Sequence, residues 1–546
     1  MPSLSHLFPA GGRQGTSFPV TLGGKFDGER AGVWVSGDGV SISAPDKTGN
    51  ATATISADAT TGLRLVRAFN AEGASAVRWF SVGVVPEAQE KEPNDALDTG
   101  GKLDKLPVCV NGVLEKSGDI DGFTFQAEAG REIVASVEAY ALGSPVDAVV
   151  NLFDEQGVRV AAAHDGRNLD PFLVWKAAKT GRYTLQISGF THPPAADVRF
   201  TGGSADVYRL VITTDPVVTQ LLPAVVPSGV KSRVELRGFN LGKIDPAFEI
   251  DGTKLAAGQT VQLLQLPKWS TGPMQIVASS TVPVTEKEPN NTAAEAMLVG
   301  LPCAAGGTIS AAGDVDRYAF QAKKGERIVV RVRSKALGLP LDASARIESS
   351  DGKVIASNDD QGDSPDPLAG FTVPADGTYQ AVVTDLFNKG GPMHDYVVEI
   401  GPEPSDFDVS LTSEATIKLV AGTTAELKAK VKRTGGFAGT LVASVEGLPE
   451  GVMADSAVVD EKKGEVKLSL IAAGSATGFS GAVRLGVFSK DTKPVVHRNA
   501  AFDLRGESKR GTTLLDTSDA IWLTVTPAKP ATAKKSPPPV LGAVPK

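Results

Sequence analysis

The chain's 546 residues suffice for three to four domains of about 150 residues, and 59 Gly and 35 Pro against 5 Met describe many short strands joined by turns. A formal net charge of −8 without a basic cluster argues against nucleic acid as a partner, because that affinity rests on lysine and arginine neutralising phosphates. No apolar run reaches the roughly 18 residues of a membrane-crossing helix, so no transmembrane segment is expected.

The chain opens with Leu7-Phe-Pro9-Ala10, runs through Gly15 to Val20-Thr-Leu22-Gly-Gly24, and repeats this phrase from Leu221 to Gly238 with seven identities at one offset. Proline and glycine mark a turn there, and the alternating Val/Leu that follows marks a strand with one face inward. Both stretches resemble small immunoglobulin-like modules of the IPT/TIG kind, which implies such domains at residues 1–85 and 215–283.

A second kind of unit alternates with the first. Glu90-Lys-Glu92-Pro93-Asn94-Asp95 opens one copy and Glu286-Lys-Glu288-Pro289-Asn290-Asn291 opens the other. Each is followed by a Gly-Asp-x-Asp-x-aromatic run, Gly118 to Phe123 and Gly313 to Tyr318. Strand-like stretches then recur in step: 131–137 with 327–333, 149–154 with 345–350, 181–187 with 377–383, and 208–212 with 396–400. Strands so closely spaced, bounded by Gly/Asp/Asn turns, predict an antiparallel sandwich or jelly roll. The constellation resembles the bacterial pre-peptidase C-terminal (PPC) domain, a family whose relatives include the collagen-binding domains of clostridial collagenases. The resemblance implies two such sandwiches, at 86–214 and 284–402.

Beyond Gly401, the stretches 419–431 and 435–452 predict a third immunoglobulin-like sandwich at 403–527, similar to modules of large exported planctomycete-type proteins. Residues 528–546 are Pro/Lys-rich, cannot bury a core, and read as a disordered tail. The fold class expected is all-β, tandem antiparallel β-sandwich or jelly-roll domains. Five of them on Pro-containing linkers should form an elongated rod.

The acidic phrases carry the chemistry. Calcium takes six to eight oxygens at about 2.3–2.6 Å, supplied by carboxylates, amide oxygens and carbonyls. Glu286 and Glu288, two apart on an extended segment, project to one side, while Asn290 and Asn291 add amide oxygens and Asp314 and Asp316 can close the shell. Glu90, Glu92, Asn94, Asp95, Asp119 and Asp121 form the matching set. In the resembled family these acidic positions bind calcium (Ca2+) and the linker folds onto the sandwich as they do. The bland alternative is a solvated linker with aspartates as turn formers.

Catalysis has no comparable support. His6, His164, His192, His394 and His497 are scattered beyond ligand spacing, and neither His-Glu-x-x-His nor Gly-x-Ser-x-Gly occurs. No catalytic residue and no organic cofactor is expected, and the chain reads as not an enzyme. Phe123, Phe125, Tyr183, Tyr318, Phe320 and Tyr379 fall at strand positions that face inward, so the collagen-gripping surface of the collagenase relatives is not carried over. Trp34, Trp79, Trp175, Trp269 and Trp522 are dispersed as core residues would be, and Cys109 and Cys303 read as buried thiols. The function expected is that of a calcium-stabilised adhesion, scaffold or envelope-associated protein outside the cytoplasm, its leader peptide removed. Its ligand would be an extracellular protein or polysaccharide. The alternative is an accessory substrate-binding chain of an exocytoplasmic hydrolase.

Overall fold

The computed structural model describes residues 1–528 apart from 27–30, 168, 192–199, 243, 256, 258–259, 263–273, 362–363, 493–494 and 509–510. His192, Trp269 and the expected tail beyond Ala528 therefore lie outside the described residues. Among the described residues, regular structure is strand, with three one-turn 3-10 segments at Tyr140–Leu142, Gly252–Lys254 and Lys335–Leu337. The fold is all-β, a succession of paired sheets.

Separate hydrophobic cores follow one another along the chain, built on Leu7, Val20 and Phe80, then Phe123, Ile133 and Leu185, then Val218, Val234 and Ile276. Two more follow, built on Tyr318, Ile328 and Ala381, then on Phe407, Leu427 and Leu485. Alternation sets which side chains enter. In Asp121–Ala127 the odd residues face the core, so Phe123 and Phe125 are buried beside Asp121; Asp316, Tyr318 and Phe320 repeat the arrangement. Tyr183 and Tyr379 are buried as well, as the pattern predicts.

The two Glu-Lys-Glu-Pro stretches fold identically. In the first, one sheet runs Glu87–Gln89, Val108–Val113, Val207–Thr213, Glu132–Glu138, Phe172–Lys176. Its partner sheet runs Gly101–Lys102, Asp121–Ala127, Gly181–Thr191, Val146–Phe153, Arg159–Ala163. The second copy has the same strand order, from Val284–Thr285 to Leu368–Thr372 and from Met297–Leu298 to Val354–Asn358. The outermost short strands fix the sites. Glu87–Gln89 pairs in parallel with one sheet and Gly101–Lys102 with the other, so residues 90–100 form a strap across the seam between the sheets. Val284–Thr285 and Met297–Leu298 anchor the equivalent strap.

A simple rod does not survive the structure. The first and last stretches of chain touch: the Trp34 and Phe69 rings lie 5.6 and 5.5 Å from that of Trp522, and the Arg67 guanidinium stacks on Trp522 at 5.8 Å. Leu504 joins Ala10, Trp79, Leu142 and Val207 in one further cluster that draws on three stretches. The tryptophans are therefore not all residues of separate cores: Trp34, Trp79 and Trp522 sit where stretches meet. Cys109 is a buried free thiol and Cys303 a half-buried one.

Candidate metal centres

Each strap lowers its glutamates onto the carboxylates of the seam. Oxygens of Glu90, Glu92 and Asp121 lie within 4.8 Å of one another, as do those of Glu92, Asp95 and Asp119 and those of Glu286, Glu288 and Asp316. A cation about 2.4 Å from each of two oxygens can span that separation. Glu92 belongs to both groups of the first copy. In the second copy Asn291 stands where the first has Asp95, and its amide oxygen accepts the Val315 N–H at 2.8 Å.

Local hydrogen bonds set these positions. Glu92 accepts the Asn94 N–H at 3.1 Å and Glu288 that of Asn290 at 3.0 Å, which curls each strap back on itself after a cis proline. Gly122 N–H donates to the Asn94 carbonyl at 3.0 Å, tying the strap to the aspartate strand. Asp119 accepts the Glu115 N–H at 2.5 Å, and Asp314 accepts both the N–H and hydroxyl of Ser310 at 2.6 and 2.7 Å.

One tyrosine in each copy links strap to strand, and the sequence reading gave it no role at the site. The Tyr208 hydroxyl lies 2.6 Å from Asp121 and 3.0 Å from Glu90; the Tyr396 hydroxyl lies 2.6 Å from Asp316, 3.5 Å from Glu286 and 2.8 Å from the Tyr318 hydroxyl. Both tyrosines come from the opposite sheet to the aspartates, across from Gly112 and Gly307. A Cβ on Gly112 would land on the Tyr208 ring, and one on Gly307 on the Tyr396 hydroxyl and the Glu286 carboxylate. The recurrence of Gly112 with Tyr208 and Gly307 with Tyr396 was the available signal.

The electrostatics call for a positive charge. A hydroxyl has one proton to give, yet Tyr208 faces two carboxylates. Burial, then the hydrogen bond and charge of Glu90, push Asp121 upward, and burial also raises Glu90. Burial followed by the charge of Asp316 pushes Glu286 up to about 10, and burial pushes Asp316 up to about 7. Among the described residues, Asp121 Oδ1 and both amide atoms of the buried Asn94 meet no hydrogen-bond partner, and Asp119 Oδ1 has only the Lys116 ammonium at 3.7 Å. Such buried, unmatched oxygens are costly unless a cation meets them. The donor set, all oxygen with several carboxylates, fits a hard cation such as calcium. No His or Cys enters any of these groups.

Comparison with known proteins gives partial matches. A probable subtilase-type serine protease from Deinococcus radiodurans is 27% identical over 246 residues, covering 40% of this chain, which spans 33% of that protein's length. The pre-peptidase C-terminal domain of a collagenase from Bacillus anthracis aligns at 18% identity over 21% of this chain and 99% of its own, with a TM-score of 0.17. The N-terminal eight immunoglobulin domains of a Down syndrome cell adhesion molecule align at 12% identity over 96% of this chain and 61% of that one, with a TM-score of 0.16. Residues 314–385, which include Asp314, Asp316 and Tyr379 but not the strap, match the family model of the bacterial pre-peptidase C-terminal domain, and the chain carries one such domain there.

Proposed function

We propose that the chain is a non-catalytic binding protein working outside the cytoplasm as an adhesion, scaffold or envelope-associated component. Residues 86–214 form a second pre-peptidase C-terminal-like sandwich, immunoglobulin-like modules flank the pair, and calcium clamps both straps to their sandwiches. Glu90, Glu92, Asn94, Asp95, Asp119 and Asp121 hold the metal in the first copy, and Glu286, Glu288, Asn290, Asn291, Asp314 and Asp316 hold it in the second. One observation carries this reading: the same strap, carboxylates and tyrosine recur in two sandwiches of identical strand order, and in the first of them buried oxygens of Asn94 and Asp121 are left unmatched. Calcium here has a structural task, neutralising carboxylates of the strap and of the aspartate strand at once.

A second reading has its own support in the partial similarity to a probable subtilase-type protease. In it, the chain presents an extracellular protein or polysaccharide to a hydrolase. Both readings share the metal, which is tested first. Calcium that binds the folded but not the unfolded chain stabilises it by about 2.7 kcal/mol per site at 100 times the dissociation constant, and so raises the melting temperature. Isothermal titration of the wild type should show binding that Glu288→Ala with Asp316→Ala removes from one site only. Identical melting curves in chelator and in millimolar calcium would overturn the proposal.

A further inference from the structure

We propose that a cleft between the edge strands Gly11–Arg13 and Glu87–Gln89 captures an extended, acidic segment of a partner protein by strand addition. The cleft encloses about 420 Å³ and is lined by Arg13, Thr16, Phe18, Glu87, Gln89 and Asn111, among others. Two sheet edges border it. Among the described residues, Gly11–Arg13 is the last strand of one sheet and pairs only with Arg78–Gly83, while Glu87–Gln89 is the last strand of another and pairs only with Val108–Val113.

The ladders reveal which backbone groups are spare. Ser81 donates to the Ala10 carbonyl and Gln14 to the Gly83 carbonyl, so the even residues 10, 12 and 14 serve their own sheet. Cys109 donates to the Pro86 carbonyl and Glu90 to the Asn111 carbonyl, so residues 86, 88 and 90 do the same. In a parallel ladder the alternate residues point their amides the other way. Those are Gly11, Arg13, Glu87 and Gln89, the arrangement by which an open edge accepts a further strand.

The chain contains its own control. At the second junction the ladder is again carried by even residues, 224 and 228 on one edge and 286 on the other. The outward positions matching Arg13 and Glu87 are there Pro227 and Pro283, which have no N–H to offer. Proline at an edge is a known block to strand addition. One junction is therefore blunted at both edges and the other is not.

Charge selects the partner. Glu87 is already paired with the buried Arg209 at 2.9 Å and accepts from Asn111 at 2.7 Å. Arg13 is exposed, and no ion pair to it is found among the described residues. Arg209 is shared between Glu87 and Glu138, so of the two charged side chains lining the cleft it is Arg13 that stands without a partner among the described residues, and Phe18 adds an apolar wall. A strand with a carboxylate opposite Arg13 and an apolar residue two positions away on the same face fits both.

The probe is a display library of random linear peptides about twelve residues long, selected on the full chain in millimolar calcium. Enriched peptides should alternate acidic and apolar residues and protect the Glu87 and Gln89 amides from hydrogen exchange. Arg13→Pro, which copies Pro227, should weaken them about tenfold by removing a donor and a charge. Gln89→Pro should do likewise without touching the charge, and serves if Arg13→Pro fails to fold. Failure to enrich peptides, equal binding to all three chains, or unprotected amides would overturn the proposal. So would dimerisation of the chain alone that Arg13→Pro abolishes, since the occupant would then be a second copy.

Discussion

Tyr396 and Gly307 show how single residues set the charge balance of the second site. The tyrosine hydroxyl holds Asp316 and reaches toward Glu286, and the glycine opposite leaves space for both. Tyr396→Phe should weaken calcium at this site about 10–100-fold, the usual effect of losing a group that orients a ligand. Gly307→Ala should cost about 1–3 kcal/mol by overpacking and abolish binding there while leaving the first site intact. Titration calorimetry reads both; unchanged affinity in the two variants would remove Tyr396 from the site. The pH dependence has a definite sign. Folded pKa values of about 7 for Asp316 and about 10 for Glu286 lie above the ordinary carboxylate range near 4. Without calcium the folded chain therefore holds extra protons, and the stability present below pH about 4 is lost as the pH rises through about 7 for Asp316 and about 10 for Glu286. Calcium replaces those protons, so its stabilising increment should grow as the pH rises through about 7 and go on growing, less steeply, to about 10. The heat of binding should also vary with the ionisation enthalpy of the buffer. A calcium increment independent of pH, with heats independent of buffer, would mean that the carboxylates are already charged and that the proton exchange is wrong.

At the scale of elements, a repeated detail holds a 3-10 turn in place. Asp366 accepts the N–H groups of Ser334, Lys335 and Ala336 at 3.0, 2.9 and 2.8 Å, and Asp170 does the same for Ala139, Tyr140 and Ala141. The turns place Leu337 and Leu142 in clusters that join neighbouring stretches of chain. Asp366→Ala leaves three donors unmet and should cost about 1–3 kcal/mol, with Asp366→Asn milder because one acceptor remains. Chemical denaturation of the two variants measures this, and equal stability of Asp366→Ala and wild type would sink it. Neither aspartate stood out in the sequence, because its partners lie about 30 residues away along the chain. The strands did, since Val/Ile alternation and Gly/Asp turns are local signals: 327–333 was expected and Arg327–Arg333 is observed. The strap's acidic residues were legible for the same reason, as a phrase stated twice. Its parallel pairing with both sheets was not, because two- and three-residue strands carry no periodicity.

At the scale of the whole molecule the main departure from sequence reasoning is that the chain's first and last stretches touch, a contact between residues almost 500 positions apart that no local pattern announces. Trp522 is 1% exposed, and its indole N–H donates to Ser480 at 3.1 Å while Trp34, Phe69 and Arg67 surround its ring. Aromatic pairs of this kind contribute about 0.5–1.5 kcal/mol beyond the area they bury, and a stacked cation about 0.5–2 kcal/mol more. That is enough to favour a closed arrangement over an open one, yet small enough for two truncations to reverse it. Trp34→Ala with Trp522→Ala should therefore release the ends. Small-angle scattering should show a larger maximum dimension for the double variant than for the wild type, and each single variant should fall between them. The proposed calcium sites lie elsewhere, on the straps, so calcium stoichiometry in the double variant should remain that of the wild type. Identical scattering from all four chains would show that the aromatic contact does not hold the ends together and would restore the extended string of domains.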